Sequence, residues 1–589
     1  MKKNFLIVAG ILFLFIGINI TPIVAIDNKE ASTHTLYNGD ILYVGGSGPG
    51  NYTFIQDAID DASNGYTIFV YNGKYFENVV VDKLIKLIGE DRNSTIIDGQ
   101  DKDNVILITV DNVTISNFNI QNCQEDWHHA GIKIKSDNNL ISNNNFKNNY
   151  RIDILIGGKS FNVIENNNII SDCIYGIELN KNSNNNIISN NFFQNHQTAI
   201  MICGNSNFTN IIDNNILDGS DGIRTYGFFS NIINNTISNM WKGINLHNSQ
   251  HNIIENNEFF SCGIFLEESK FNTINNNNVN GEPLIYFQGE SNKKIDYETG
   301  EIILIDCENI IIENQDISET TNGITIRKSN NVHVTNSDIS SNKNGIELSG
   351  SSNISISKNK LISNYYYGIT ISSSNYVDIF DNDLCYNING ICIYYYSENI
   401  LIKDNNISYN RGQGLEIRTT DTKILNNNIS HNDEDGISLM GGGHIISNNT
   451  FFSNKDFGVD CDFYESNNLI SNNIFCKNNG GIFVNGEKNI IRNNHFEKNE
   501  LGIYLSSSDN GKITNNNFVN NTRHAKFHIY GRERVKTNIW KGNFWQRQRI
   551  LPYIIFGKLE IRIQWGYWKT FHWLQIDWRP AKVPNDIGV

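Results

Sequence analysis

Positive charge is scarce in this chain. Its 589 residues carry 47 Lys and Arg against 62 Asp and Glu, a formal net charge of −15. Phosphate backbones are held by basic surfaces, so nucleic acid is not the expected partner. Cys-x-x-Cys pairs and zinc-type spacings are missing. The nine cysteines (Cys123, Cys173, Cys203, Cys262, Cys307, Cys385, Cys392, Cys461 and Cys476) are spread singly and read as buried small hydrophobes rather than a disulfide framework. Methionine is almost absent, at Met1, Met201, Met240 and Met440, and proline occurs 6 times. A thioether-rich copper site is therefore not indicated. Beyond the first 25 residues no stretch is apolar and long enough to cross a bilayer.

What is present begins with an export signal. Lys2 and Lys3 precede "NFLIVAGILFLFIGINI", and "TPIVA" offers Ala25 for cleavage, so residues 1–25 read as a secretory signal peptide. The alternative is a retained anchor of marginal length. The expected location is secreted or cell-surface.

A phrase then recurs. "GIEL" at Gly345, "GITI" at Gly368, "GICI" at Gly390, "GLEI" at Gly414, "GISL" at Gly436, "GVDC" at Gly458, "GIFV" at Gly481 and "GIYL" at Gly502 fall at intervals close to 22 residues, and earlier copies stand at Gly131, Gly176, Gly222, Gly243 and Gly323. Such a period marks a stacked repeat protein. Each unit holds three short pieces that alternate Ile or Val with polar residues, which is the pattern of strands. Three strands in about 22 residues make one coil of a parallel β-helix. The leucine-rich repeat has a similar period but needs an L-x-x-L-x-L frame that is missing. The expected fold is therefore all-β, a right-handed single-stranded parallel β-helix of about 20 coils, a rod on the order of 95 Å long. Asparagine, abundant in stretches such as "NNNIISNNFFQN" (184–195), suits the corners: it tolerates positive φ, and its amides can ladder between coils.

The expected divisions are residues 26–100 as N-terminal cap and first coils, 101–520 as repeats with an irregular coil at 281–300, and 521–589 as a C-terminal cap. "TFIQDAIDDAS" predicts a capping helix, with Thr53 and Gln56 as a capping box and Ile55, Ile59 and Ala62 on one face. From Arg523 to Lys582 basic residues outnumber acidic ones several-fold, among many aromatics. This basic aromatic C-terminal region is a candidate contact for the envelope or a partner protein.

The repeats, and above all "GEPLIYFQGESN…IILIDCENIIIENQDIS", resemble the NosD family of periplasmic copper-binding proteins and the related CASH domains of carbohydrate-binding and sugar-hydrolysing proteins. The opening "FIQDAIDDASNGYTIFVYNGKYFENV" resembles the entry of pectin methylesterases and of archaeal surface β-helix proteins. The resemblance implies a pectin-lyase-like fold and, for NosD, an accessory role in copper-enzyme maturation. Motif blocks of pectin methylesterase, polygalacturonase and pectate lyase are not found; "GGHI" at His444 lies inside a repeat.

Several residues are candidates for chemistry. Glu434 and Asp456 sit two residues before the Gly of adjacent coils, so stacking would bring two carboxylates to a glycosidase-like separation. The bland alternative is a solvated acidic corner or a calcium site. "CQEDWHHAG" offers Asp126, His128 and His129 as metal ligands or as acid and base. Trp127, Tyr150, Tyr175 and Trp241, with Tyr365, Tyr366 and Tyr367, all precede a repeat Gly and would share an edge where flat rings stack on sugars. The leading expectation is an exported β-helix that binds extracellular polysaccharide or is structural, without catalysis. A polysaccharide lyase or hydrolase and a NosD-like copper accessory are the alternatives, with Ca2+ or Cu as the cofactors to consider.

Overall fold

The computed structural model describes residues 40–461, 466–531, 537–564 and 567–587; the signal segment 1–25 lies outside them. Within each of two stacks, coil follows coil in parallel register. On one face, strands from Ile41–Val44 to Thr273–Asn275 form an 11-stranded sheet, and strands from Ser291–Ile295 to Ile539–Lys541 form a 12-stranded one. The expected isoleucine columns are there: Ile188, Ile211, Ile232, Ile254 and Ile274 pair in order down the first stack, all buried. Near the end, Phe451, Phe475, Phe496, Phe518 and Trp545 stack at 4.4–4.9 Å. Among the described residues no helix is long and apolar enough to cross a membrane.

The paired asparagines divide their labour. The first of each pair turns the corner in the left-handed region, as Asn190 does at φ 55° and Asn426 at φ 57°. The second points inward. Asn359, Asn382, Asn405, Asn427, Asn449, Asn473, Asn494 and Asn516 each donate a side-chain N–H to the next Oδ1 at 3.0–3.1 Å, ending at Asn543. Asn543 passes its own N–H to Asp577 Oδ2 at 3.1 Å. A chain of donors pointing one way needs an acceptor with no proton of its own, and the carboxylate from the C-terminal hairpin supplies it.

The repeat glycines hold ordinary backbone angles but lack space. A Cβ on Gly368 would lie 2.6 Å from the carbonyl oxygen of Gly390 and 2.9 Å from Leu384.

The N-terminal helix, Ile55–Asp61, buries Ile55 and Ile59 over the first coils, with Ala62 just past its end. Its expected capping box does not form. Phe54 is the N-cap and makes no side-chain cap bond. The Glu77 carboxylate, reaching in from the next coil, accepts the N–H groups of Ile55 at 2.8 Å and Gln56 at 2.9 Å. Gln56 is thereby free to pair with the backbone of Val80.

The segment around 281–300 is where one stack ends and another begins. Asn278–Val279 turns back on Glu282–Pro283 in antiparallel register. Glu282–Gln288 then pairs in parallel with Glu301–Ile305, which is buried along its whole length. Ile303 and Ile305 pack into the first core, whereas Ile302 and Leu304 pack into the second. One strand is thus a wall between two cores.

His444 occupies an inward slot where neighbouring coils use Thr422 and Asn468. Its Nδ1 accepts the Thr422 N–H at 3.2 Å, and burial pushes its pKa down to about 4. The unfolded chain takes up a proton near pH 6.5 that the fold refuses until about pH 4, so stability falls as pH drops through that window. His444→Asn, which installs the ladder residue, is expected to flatten this acid-side loss in melting curves between pH 7 and 4; an unchanged slope would count against the assignment.

Candidate binding groove at the junction of the two stacks

Where the stacks meet, the first cannot pass its hydrogen bonds to a next coil in register. Side chains of the second stack substitute. Ile264 N–H donates to Glu301 Oε2 at 2.9 Å and Gly263 N–H to Thr321 Oγ1 at 3.0 Å. Lys343 Nζ reaches back to the Ser261 carbonyl at 3.3 Å. Glu301 is fully enclosed, and burial pushes its carboxyl up to about 8, so it is neutral at pH 7.

Outside this seam runs a band of rings and cations. Trp241 from the first stack packs edge-on against Tyr365 (5.0 Å) and Tyr366 (5.1 Å) from the second. Lys343 sits 5.3 Å from the Trp241 ring centre, and Arg411 lies 5.6 Å from Tyr365. Further along, Lys242 lies 3.6 Å from the centre of Phe265, and Arg327 approaches the same ring while bound to Glu347 at 2.7 Å. The band opens into a cleft of about 500 Å³ bordered by Glu267, Glu268, Lys270, Arg327 and Lys328. Burial holds Lys242 and Lys343 below the usual lysine range. Lys328 is lowered first by its neighbour Lys270 and then by burial. Arg327 is engaged by Glu347 and Glu267 by His247 at 2.8 Å, while Glu268 and Asp306 are the anions nearest Lys328.

The predicted aromatics fall into two clusters. Trp241, Tyr365, Tyr366 and Tyr367 gather at the junction, Tyr367 beside Tyr366 at 6.0 Å. Trp127, Tyr150 and Tyr175 lie five, four and three coils before Trp241. There Arg151 caps Trp127 at 4.1 Å, and Tyr150 projects into solvent. Other exposed rings that sequence reading passed over form face-to-face columns at left-handed corners: Phe208, Phe229, His251 and Phe271, and Tyr386, Tyr409 and His431. Their faces are consumed by each other, so they offer sugars only edges; they are cement between coils.

Glu434 and Asp456 do stack on adjacent coils, Asp456 N–H donating to the Glu434 carbonyl at 3.3 Å. Both side chains are exposed, without the enclosure a general acid needs. His129 lies between Asp103 (3.3 Å) and Asp126 (3.9 Å), while the backbone N–H of His128 binds Asp126.

A cluster that sequence reading missed lies inside the first stack. Asp153, Cys173 and His196 are buried, and their ligand-type atoms lie within 4.8 Å of one another. Two of the three stand three residues before the Gly176 and Ala199 of their coils, and Asp153 stands in the slot of a repeat Gly. Aligning the coils by that slot would have found them.

The family described as "Right handed beta helix region" matches residues 103–230, 193–299 and 413–546. That described as "Periplasmic copper-binding protein (NosD)" matches residues 285–435. Among solved structures, the chain is similar to a pectin methylesterase from carrot, at 16% identity over 41% of this chain and 83% of that one, with a TM-score of 0.28. It is also similar to a pectin methylesterase from Yersinia enterocolitica (14% identity, 34% and 90% coverage, TM-score 0.24). A third is the catalytic unit of an α-1,3-glucanase from Streptomyces thermodiastaticus strain HF3-3 (14%, 55% and 61%, TM-score 0.30). No curated protein matches.

The residues of the NosD-matched segment do not fit a copper centre. Its soft donors are Cys307, Cys385, Cys392, His333 and His431. Cys385 is engaged with Ser408, Cys392 with Glu416 and Cys307 with backbone carbonyls. Among the described residues, no three ligands converge within that segment.

Proposed function

This chain belongs to the right-handed parallel β-helix family, with NosD-type coils over residues 285–435, and from that premise we propose that it is an exported protein that binds an acidic polysaccharide, without cleaving it, along the junction groove. The observation that carries the reading is the gathering of flat rings and cations along one seam. Trp241 and Tyr365 supply surfaces for sugar faces, and Lys343, Lys242, Lys270 and Lys328 supply charge for carboxylates. A polymer lying across the seam would gain a counter-charge for each lysine that burial or a like neighbour has destabilised.

Equilibrium binding of a polyuronate and of its methyl ester tests this. The acid form is expected to bind more tightly and to weaken with salt. Tyr365→Ala and Lys328→Ala are each expected to lower affinity about tenfold, roughly 1.4 kcal/mol, with little change in melting temperature. Equal binding of acid and ester, or none, would remove the proposal. Release of reducing ends or unsaturated product would replace it with an enzyme.

A further inference from the structure

In the second stack one interior column is asparagine almost without interruption: Asn342, Asn364, Asn387, Asn410, Asn432, Asn454, Asn478, Asn499 and Asn521, all buried. Each sits just after the third strand of its coil. Its side-chain oxygen takes a backbone N–H from the coil before, as Asn387 does from Asn364 at 2.9 Å. This is what the column looks like when its work is purely structural. In the first stack the same slot reads Cys123, Asn149, Cys173, His196, Gly219, Met240 and Cys262. The amide is given up for sulfur and imidazole, and the change is tightest at Cys173 and His196. There the repeat Gly of the preceding coil is itself replaced, by Asp153, the residue paired beside Gly131 and Gly176.

The three side chains meet at one atom. Asp153 Oδ2 lies 3.0 Å from His196 Nε2, 3.2 Å from Cys173 Sγ and 2.5 Å from Ser171 Oγ, while Asn149 Nδ2 holds Oδ1 at 2.9 Å. Ser171 and His196 thus converge on one carboxylate oxygen, and the Cys173 thiol stands between that oxygen and the Tyr175 carbonyl at 3.1 Å. His196 Nδ1 is buried with no hydrogen-bond partner. A tetrahedral ion with oxygen, nitrogen and sulfur ligands at about 2.0–2.3 Å sets those ligands about 3.3–3.7 Å apart, so the carboxylate–imidazole and carboxylate–thiol separations need only widen by a few tenths of an ångström.

We propose that Asp153, Cys173 and His196 form a buried three-ligand structural site for a borderline-soft divalent cation of the zinc class, its fourth position left to a water, which staples three successive coils of the first stack. Carboxylate, thiolate and imidazole together suit such an ion and not calcium or magnesium. On binding, Cys173 gives up its proton to solvent and the ion takes the place of the thiol and imidazole donors around Asp153. Ser171 remains as a hydroxyl beside the carboxylate. The site lies outside the segment matched by the copper-binding family and is independent of the groove.

The test is to refold the purified full-length chain with Co2+ or Zn2+, remove free metal, and measure stoichiometry and the cobalt spectrum. One equivalent is expected, with a thiolate-to-cobalt charge-transfer band and tetrahedral d–d bands. His196→Asn and Cys173→Asn install the residue the second stack uses in the same column, so both are expected to fold; each should lose the band and at least tenfold in affinity. No uptake by the refolded chain, uptake without a thiolate band, or full uptake by the doubly substituted chain would each overturn the proposal.

Discussion

Glu301→Gln is expected to leave stability unchanged near pH 4 and to raise it by about 4–5 kcal/mol at pH 9. The carboxyl is enclosed at the seam between the stacks, where burial pushes it up to about 8 from an ordinary 4.5. Below pH 4.5 the group is neutral in both folded and unfolded chains. Above it the unfolded chain releases a proton that the folded chain keeps, so stability falls at about 1.4 kcal/mol per pH unit and levels off past pH 8. Glutamine has the shape of the neutral acid and no proton to lose, and its oxygen can still accept the Ile264 N–H. Urea melts of both proteins from pH 4 to 9 should diverge upward from about pH 5. Parallel curves would show that Glu301 is not enclosed as described. The effect should be local to the junction, since a stacked array can open there without unfolding elsewhere.

The second large effect separates two neighbours of identical chemistry. Asn427→Ala is expected to cost about 3–5 kcal/mol, because two buried donors, the backbone N–H and the side-chain amide of Asn405, lose their acceptor at 2.9 and 3.0 Å. The carbonyls of Ile402 and Leu425 lose their donor as well. Asn426, exposed and at φ 57°, makes a different demand. Asn426→Gly should be neutral to within about 0.5 kcal/mol, while Asn426→Val should cost about 1–2 kcal/mol from the left-handed backbone alone. Chemical unfolding of the three variants checks this. Equal costs for the alanine and glycine changes would mean that corner and ladder are not separate roles.

These two residues also show how far sequence reading reached. The 22-residue phrase, the strand alternation and the abundance of Asn led to the coil, because in a solenoid each residue's partner lies one turn away and every turn repeats the signal. What the composition did not reveal was that adjacent asparagines face opposite ways, one to the solvent at a corner and one into the core. The helix cap was misplaced for a related reason. Thr53 and Gln56 fit a local rule, but Glu77 from the next coil reaches the same N–H groups with both carboxyl oxygens. Glu434 and Asp456 were rightly placed on adjacent coils, yet their exposure is a property of the surface around them. Cys173 and His196 were legible in principle, as departures from a column that is asparagine from Asn342 to Asn521 in the second stack.

By itself, then, the sequence determined the coil, its period and the inward isoleucines, since these rest on contacts one turn apart and are rewarded by burial at every repeat. Only the tertiary structure decided that Glu301–Ile305 walls off two cores, and that Trp241 stands against Tyr365 across the seam. A break in register leaves backbone donors without a next coil, and which distant side chains satisfy them is settled by how two finished stacks abut, not by any interval along the chain.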